Sequence, residues 1–193
     1  MKKLLILLII LYAAGFLSGL ALESHYSTQR IITERNHAEI SCVREKTFLE
    51  LRDIEFHSEN SVKALKTNSL GVFNLSMIEL ERDLSRLSTQ LSEAAIYLYP
   101  GRRPTDEDTT NLTDTSPCME FIETSRKAVL GGKANISVVE EGLQTIQSFA
   151  NEWLDDGNYP SKKFLQANKK LQMECEVMIK AVDEENTKKS RRR

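Results

Sequence analysis

"FNLSMIELERDLSRLSTQLSEAAIYLYPG", residues Phe73 to Gly101, decides the fold. Phe73, Met77, Leu80, Leu84, Leu87, Leu91, Ala94 and Leu98 recur at alternating steps of four and three. That is the seam of a helix packing on another helix. Polar residues such as Ser88 fall off the seam, on a face expected to be solvated. The segment stops sharply at Pro100-Gly101, a helix-ending pair.

The chain before it supplies the partner. Residues 23–66 contain neither Gly nor Pro, and Ile40, Val43, Phe48, Leu51, Ile54, Val62 and Leu65 recur at near-helical spacing among charges, which predicts one long helix. "KTNSLGV" at Lys66–Val72 reads as a turn. A short turn between two helices predicts an antiparallel hairpin. Leu80, Leu84 and Leu87 then face Leu51, Ile54 and Val62, and residue 70 + n lies level with 70 − n. A homodimer through the same seam is the alternative. The hairpin is favoured because a stripe joined by a short turn has a far higher effective concentration than a second molecule.

Beyond Gly101, "PGRRPTDEDTTNLTDTSP" (Pro100–Pro117) is polar throughout and reads as a mobile linker. Asp106 and Asp108 have a calcium-loop spacing, but the required Gly and terminal Glu do not follow. Ser116-Pro117 predicts a helix start, with Ser as cap. Three C-terminal helices follow. The first covers Cys118–Leu130 and stops at Gly131-Gly132. The second has the seam Ile136, Val139, Leu143, Ile146, Phe149, Ala150 and Trp153. The third uses Phe164, Leu171, Cys175, Met178 and Val182. No strand-type alternation of useful length occurs.

The N-terminus carries the location signal. "MKKLLILLIILYAAGFLSGLAL" places Lys2 and Lys3 before an uncharged run from Leu4 to Leu22. A spanning helix needs about 20 such residues, so the reading is an uncleaved anchor. Cleavage near Ala21 as a signal peptide is the alternative. The lysines favour the cytoplasmic side, which puts the bulk of the chain outside the cytoplasm. The leader looks bacterial, so that side is expected to be the periplasm. Net charge is −2, and nothing in that balance points to nucleic acid.

No combination of residues supplies recognisable chemistry. There is no Gly-x-Ser-x-Gly elbow, phosphate loop or His-Glu-x-x-His. His25, His37 and His57 lie too far apart to share adjacent helical turns, as a helix-borne metal site requires. Carboxylate pairs such as Glu140-Glu141 diverge by about 100° on a helix. No catalytic, cofactor-binding or metal-binding residue is therefore assigned. Sequons at Asn74, Asn111 and Asn135 are read as incidental. The terminal Lys188, Lys189, Arg191, Arg192 and Arg193 form a frayed basic tail, a candidate contact for an anionic partner or membrane. Cys42, Cys118 and Cys175 form no Cys-x-x-Cys motif. In an exported domain the expected bridge is Cys42–Cys118. Leu98 returns to the height of Cys42, and the linker is read as staying at that end until Cys118. Cys118–Cys175 is the runner-up, and three free thiols are a further alternative.

The expected protein is all-α. A membrane anchor (residues 1–22) precedes a long helical hairpin (23–99) and a mobile linker (100–117). A three-helix C-terminal segment (118–187) and a basic tail (188–193) complete a helical bundle. The expected role is non-catalytic binding of a partner protein in the cell envelope, from a single-pass position in the inner membrane. The alternatives are a phage-type membrane-lysis accessory protein and a helical-bundle sensor or small-ligand-binding module.

Overall fold

Three of the helices end where a left-handed residue, Asn68, Gly132 or Gly157, lets the chain turn back. The computed structural model describes residues 37–99 and 107–191. Its helices are α1 (residues 37–66), α2 (Leu70–Leu98), α3 (Glu107–Thr113), α4 (Ser116–Leu130), α5 (Ile136–Asp156) and α6 (Lys162–Arg191). Among the described residues there is no strand, and no helix is long and apolar enough to cross a membrane. The expected anchor, residues 1–22, lies outside the described residues.

Asn68 ends α1 with φ 53°. Ser69 N–H bonds the Ala64 carbonyl at 2.8 Å and Asn68 N–H bonds Leu65 at 3.2 Å, the paired bonds of a Schellman cap. Gly132 does the same for α4 at φ 63°, with Lys133 N–H on Ala128 at 2.9 Å and Gly132 N–H on Val129 at 3.0 Å. Asn135 caps α5 by accepting from Ser137 N–H at 3.1 Å. Thr115 rather than Ser116 occupies the cap position of α4, one residue earlier than the sequence suggested.

The packing is that of the compact unit Cys42–Arg193. α1 and α2 form the hairpin: His57 on α1 meets Asp83 on α2 at 2.7 Å, and Lys46 meets Glu93 at 3.7 Å. His57 and Asp83 stand equally far before and after position 70, the expected register. α4 runs antiparallel to α2, with Thr115 beside Leu84 and Arg126 beside Asn74. α6 packs on both α4 and α5. α1 returns beside α5 through Arg44 on the Gly157 carbonyl and Lys66 on Glu140. The helices therefore close a ring in the order α1, α2, α4, α6, α5.

Inside it, Phe73, Met77, Leu80, Leu84, Leu87 and Leu91 are buried with Leu51, Ile54 and Val62, and Leu98 packs on their edge. The seam is spent within the chain, which leaves it no surface for a second copy. The C-terminal helices bring Phe164 against Trp153 (5.0 Å, edge-on) and Phe149 (5.7 Å, stacked). Gly142 on α5 admits Phe121: a Cβ there would lie 2.2 Å from the ring.

Three expectations need correction. First, the stretch 100–117 is not simply a mobile linker. Residues 100–106 lie outside the described residues, but α3 forms, and Leu112, Thr113 and Thr115 are buried. The junction is held from two sides. Ser88 Oγ donates to the Thr113 carbonyl at 2.9 Å and Thr115 Oγ1 to that of Leu84 at 2.9 Å. From α6, Asn168 Nδ2 donates to the Leu112 and Asp114 carbonyls at 3.0 and 3.1 Å. Ser88 is thus not a solvated position.

Second, the disulfide is Cys118–Cys175, with Cα atoms 5.1 Å apart, and Cys42 is free and exposed. The expected Cys42–Cys118 bridge fails on height and on rotation. α3 climbs back along α2, so α4 starts level with Leu84 and not Leu98. At about 1.5 Å per residue that is roughly 21 Å from the end where Cys42 sits, far beyond the ~7 Å a bridge allows. Cys42 also faces outward. Third, helical backbone continues in α6 to Arg191, where a frayed tail from Lys188 was expected. Arg192 and Arg193 lie outside the described residues.

Candidate functional site

Two features stand apart from ordinary core and surface. One is a polar cluster on the α1–α2 hairpin. Glu50, Asp53 and Asp83 bring their carboxylate oxygens within 4.8 Å of one another. Asp83 is buried, and its oxygens are engaged: Oδ2 by His57 Nδ1 at 2.7 Å and Oδ1 by Arg86 at 3.5 Å. When Asp83 is ionised it can only accept, and His57 then donates from Nδ1. Burial raises the Asp83 pKa above its usual value, against the opposing hydrogen bond and charge of His57; Asp53 adds to the rise and Arg86 opposes it. Glu50 is raised chiefly by burial too, opposed by Arg86 and reinforced by Asp83 and Asp53.

The sign for stability follows. With folded values above unfolded ones, the folded chain binds more protons in that window. The contribution of the cluster is fully present below the ordinary carboxylate range and is lost as pH rises through the raised values. Asp83→Asn keeps an acceptor for His57 and removes the buried charge. It is expected to flatten the stability profile as pH rises above the ordinary carboxylate range, read from urea midpoints across a pH series. A steeper profile in the variant would contradict the assigned direction.

The second feature is a groove between α5 and α6 of about 620 Å³. Its apolar lining is Met173, Val177 and Met178. Met173 is 59% exposed and Val177 66% exposed, with Met178 beneath them on the core edge. Its rim is mostly acidic: Glu141 and Glu174, with Lys170 paired to Glu174 at 3.6 Å. An adjoining hollow of about 340 Å³ continues the groove along α5 past Ser148 to Glu152. Thr145 is tied to its own helix, donating to the Glu141 carbonyl at 3.0 Å.

Sequence reasoning named neither feature. Met173 and Val177 are apolar residues in excess of the α6 seam, and that excess was the available signal. His57 and Asp83 follow from the hairpin register, which places them level. Ile136, expected on the α5 seam, is exposed beside the α4–α5 turn. His37 and His57 both lie on α1, and His25 lies outside the described residues. Comparison with known protein families, curated proteins and solved structures finds no match for this chain.

Proposed function

We propose that this chain is an envelope protein, held by its N-terminal apolar segment, that acts by binding a helix of a partner protein in the α5–α6 groove. The observation that carries the reading is the groove itself: Met173 and Val177 line it with exposed apolar side chains beside Glu141 and Glu174. An amphipathic helix laid in such a groove buries its apolar face. The rim selects one whose apolar stripe is flanked by Lys or Arg, because opposite charge at a rim guides encounter and register.

Two further observations support the location. Lys2 and Lys3 before Leu4–Leu22 suit an exported chain. The Cys118–Cys175 disulfide belongs to an oxidising compartment such as the periplasm.

The test is direct. A fluorescent synthetic helix with a leucine face and lysine flanks should bind the full chain in detergent, followed by anisotropy. Val177→Glu should weaken binding at least ~tenfold, since it buries a charge against the apolar face. A peptide with glutamate flanks should bind far less well. Equal binding of both peptides, or undiminished binding by Val177→Glu, would reject the groove.

A further inference from the structure

The two turns at one end of the bundle, α1–α2 and α4–α5, differ in composition from the rest of the chain. Residues 60–78 contain Lys63 and Lys66 and no acid, and residues 124–139 contain Arg126, Lys127 and Lys133 and no acid. The whole chain carries a net charge of −2. The same two stretches expose large apolar side chains: Leu70 is 43% exposed, Val72 55%, Leu75 60%, Leu130 45% and Ile136 44%. Their one aromatic residue, Phe73, is buried.

The packing brings these stretches to one level. Arg126 reaches Asn74 across the antiparallel α2–α4 pair, so Leu130 and Leu70, four residues further on each helix, stand together at the end. Lys66 pairs with Glu140 at 2.8 Å, which sets the start of α5, with Ile136, beside the end of α1. The space above is open: a Cβ at Gly71 or Gly132 would meet nothing within 4 Å. Residues 1–36 and 100–106 join the described chain at residues 37, 99 and 107, and residue 99 is about 42 Å along α2 from Leu70.

α6 rises to the same end. Cys118 bonds Cys175, 57 residues on, and Phe121 and Met178 both crowd Gly142. α4 and α6 therefore climb side by side, and position 187 comes level with Leu130. The helix reaches this level through Asp183, Glu184 and Glu185, then continues through Lys188 and Lys189 to Arg191. The carboxylates flanking the two turns do not cancel their charge. Glu59, Glu123 and Glu140 lie below the turns, paired with Lys63, Lys127 and Lys66. Exposed pairs of this kind contribute little and can open toward a stronger anionic surface. Lys133 stands exposed on the α4–α5 turn itself.

An end that is apolar and basic together fits an anionic bilayer. Interfacial binding adds the burial of apolar side chains among the headgroups to the attraction of Lys and Arg for anionic lipid. Single-stranded nucleic acid is held by stacking on exposed aromatic rings, which these turns lack. Peptides are taken up in grooves or along sheet edges, whereas two tight turns form a projecting end. We infer that the α1–α2 and α4–α5 turns bind the surface of an anionic bilayer, seating Leu70, Val72 and Leu130 among the headgroups with Lys66 and Lys133 toward the lipid charge. This surface uses no residue of the α5–α6 groove and is independent of what that groove binds.

Flotation with vesicles tests it. The full chain is placed in nanodiscs of neutral phosphatidylcholine and mixed with vesicles of equal parts phosphatidylcholine and phosphatidylglycerol, or of phosphatidylcholine alone. Size exclusion of the nanodiscs reports separately on the N-terminal anchor, and a chain they do not retain is added to the vesicles directly. Binding should be at least ~tenfold tighter to the anionic vesicles. Val72→Glu and Lys133→Glu should each weaken it about tenfold with unchanged urea midpoints, since both sites are exposed. A polarity-sensitive dye on Val72→Cys in a Cys42→Ser background should shift to the blue when anionic vesicles are added. The same dye on Cys42 of the unaltered chain, toward the other end of α1, should not respond. Equal binding to neutral vesicles, indifference to either substitution, or a response at Cys42 in place of Val72 would each overturn the inference. Capture by polyglutamate that Val72→Glu leaves intact would make the end a polyanion site and reject the bilayer.

Discussion

Replacing Cys118 and Cys175 together with alanine is expected to lower the stability of the folded chain by about 2–4 kcal/mol. The two cysteines are 57 residues apart, and the chain-entropy relation gives roughly 4 kcal/mol for a loop of that size, an upper figure in practice. The bridge joins the first turn of α4 to the middle of α6. Both sulfurs are fully buried, beside the polar latch in which Gln172 accepts from Cys118 N–H at 3.3 Å and donates to Asn168 at 3.2 Å. Asn168 in turn holds the end of α3. Loss of the bridge should therefore appear first as proteolysis near Thr113–Thr115, before global unfolding. Alanine is the right replacement, because serine would leave a buried hydroxyl in need of a partner. Urea unfolding of the unaltered and double-variant chains gives the magnitude. Thiol titration of protein purified without reductant gives the pairing: one free thiol, Cys42, is expected. Three free thiols would remove both the bridge and its support for an oxidising compartment.

The hairpin was legible because its determinants are local and repeated. Phe73 to Leu98 keeps one seam without interruption, and a short turn fixes the register, so His57 and Asp83 meet where the spacing places them. The inner stripe of α1 was read less well. Thr47, Ser58 and Ser61 occupy buried positions, and Thr47 and Ser61 do so by bonding back to their own helix. The apolar Phe48 was assigned inward in their place, and it is exposed. The linker was misread for a different reason. Nothing in "TDEDTTNLTDTS" except Leu112 looks able to order it. The groups that satisfy its carbonyls come from Asn168, more than fifty residues on, and from α2. Non-local hydrogen bonds leave no periodic trace. The groove went unseen because exposure depends on how far α6 is rotated against α5, and a seam alone tolerates several rotations.

Leu84→Ala is expected to cost about 3–5 kcal/mol, toward the upper part of the range for buried leucines. Leu84 is fully buried at the middle of the α2 seam. The size of such a loss depends on how far the surroundings collapse into the cavity. Here they are held. The Leu84 carbonyl accepts from Thr115 Oγ1 at 2.9 Å, and Ser88 one turn on bonds the Thr113 carbonyl at 2.9 Å. On the other side, the His57–Asp83 pair fixes α1 against α2 one residue before Leu84. Backbone shifts that would fill the space must break one of these contacts. Leu75→Ala, on the same helix but 60% exposed, should cost no more than about 0.5 kcal/mol. Ser88→Ala should fall between them at about 1 kcal/mol, the usual net value of a hydrogen bond. Urea midpoints at constant m-value separate the three. Equal midpoints for the Leu84 and Leu75 variants would mean that the seam does not face the core, and the hairpin would have to be redrawn.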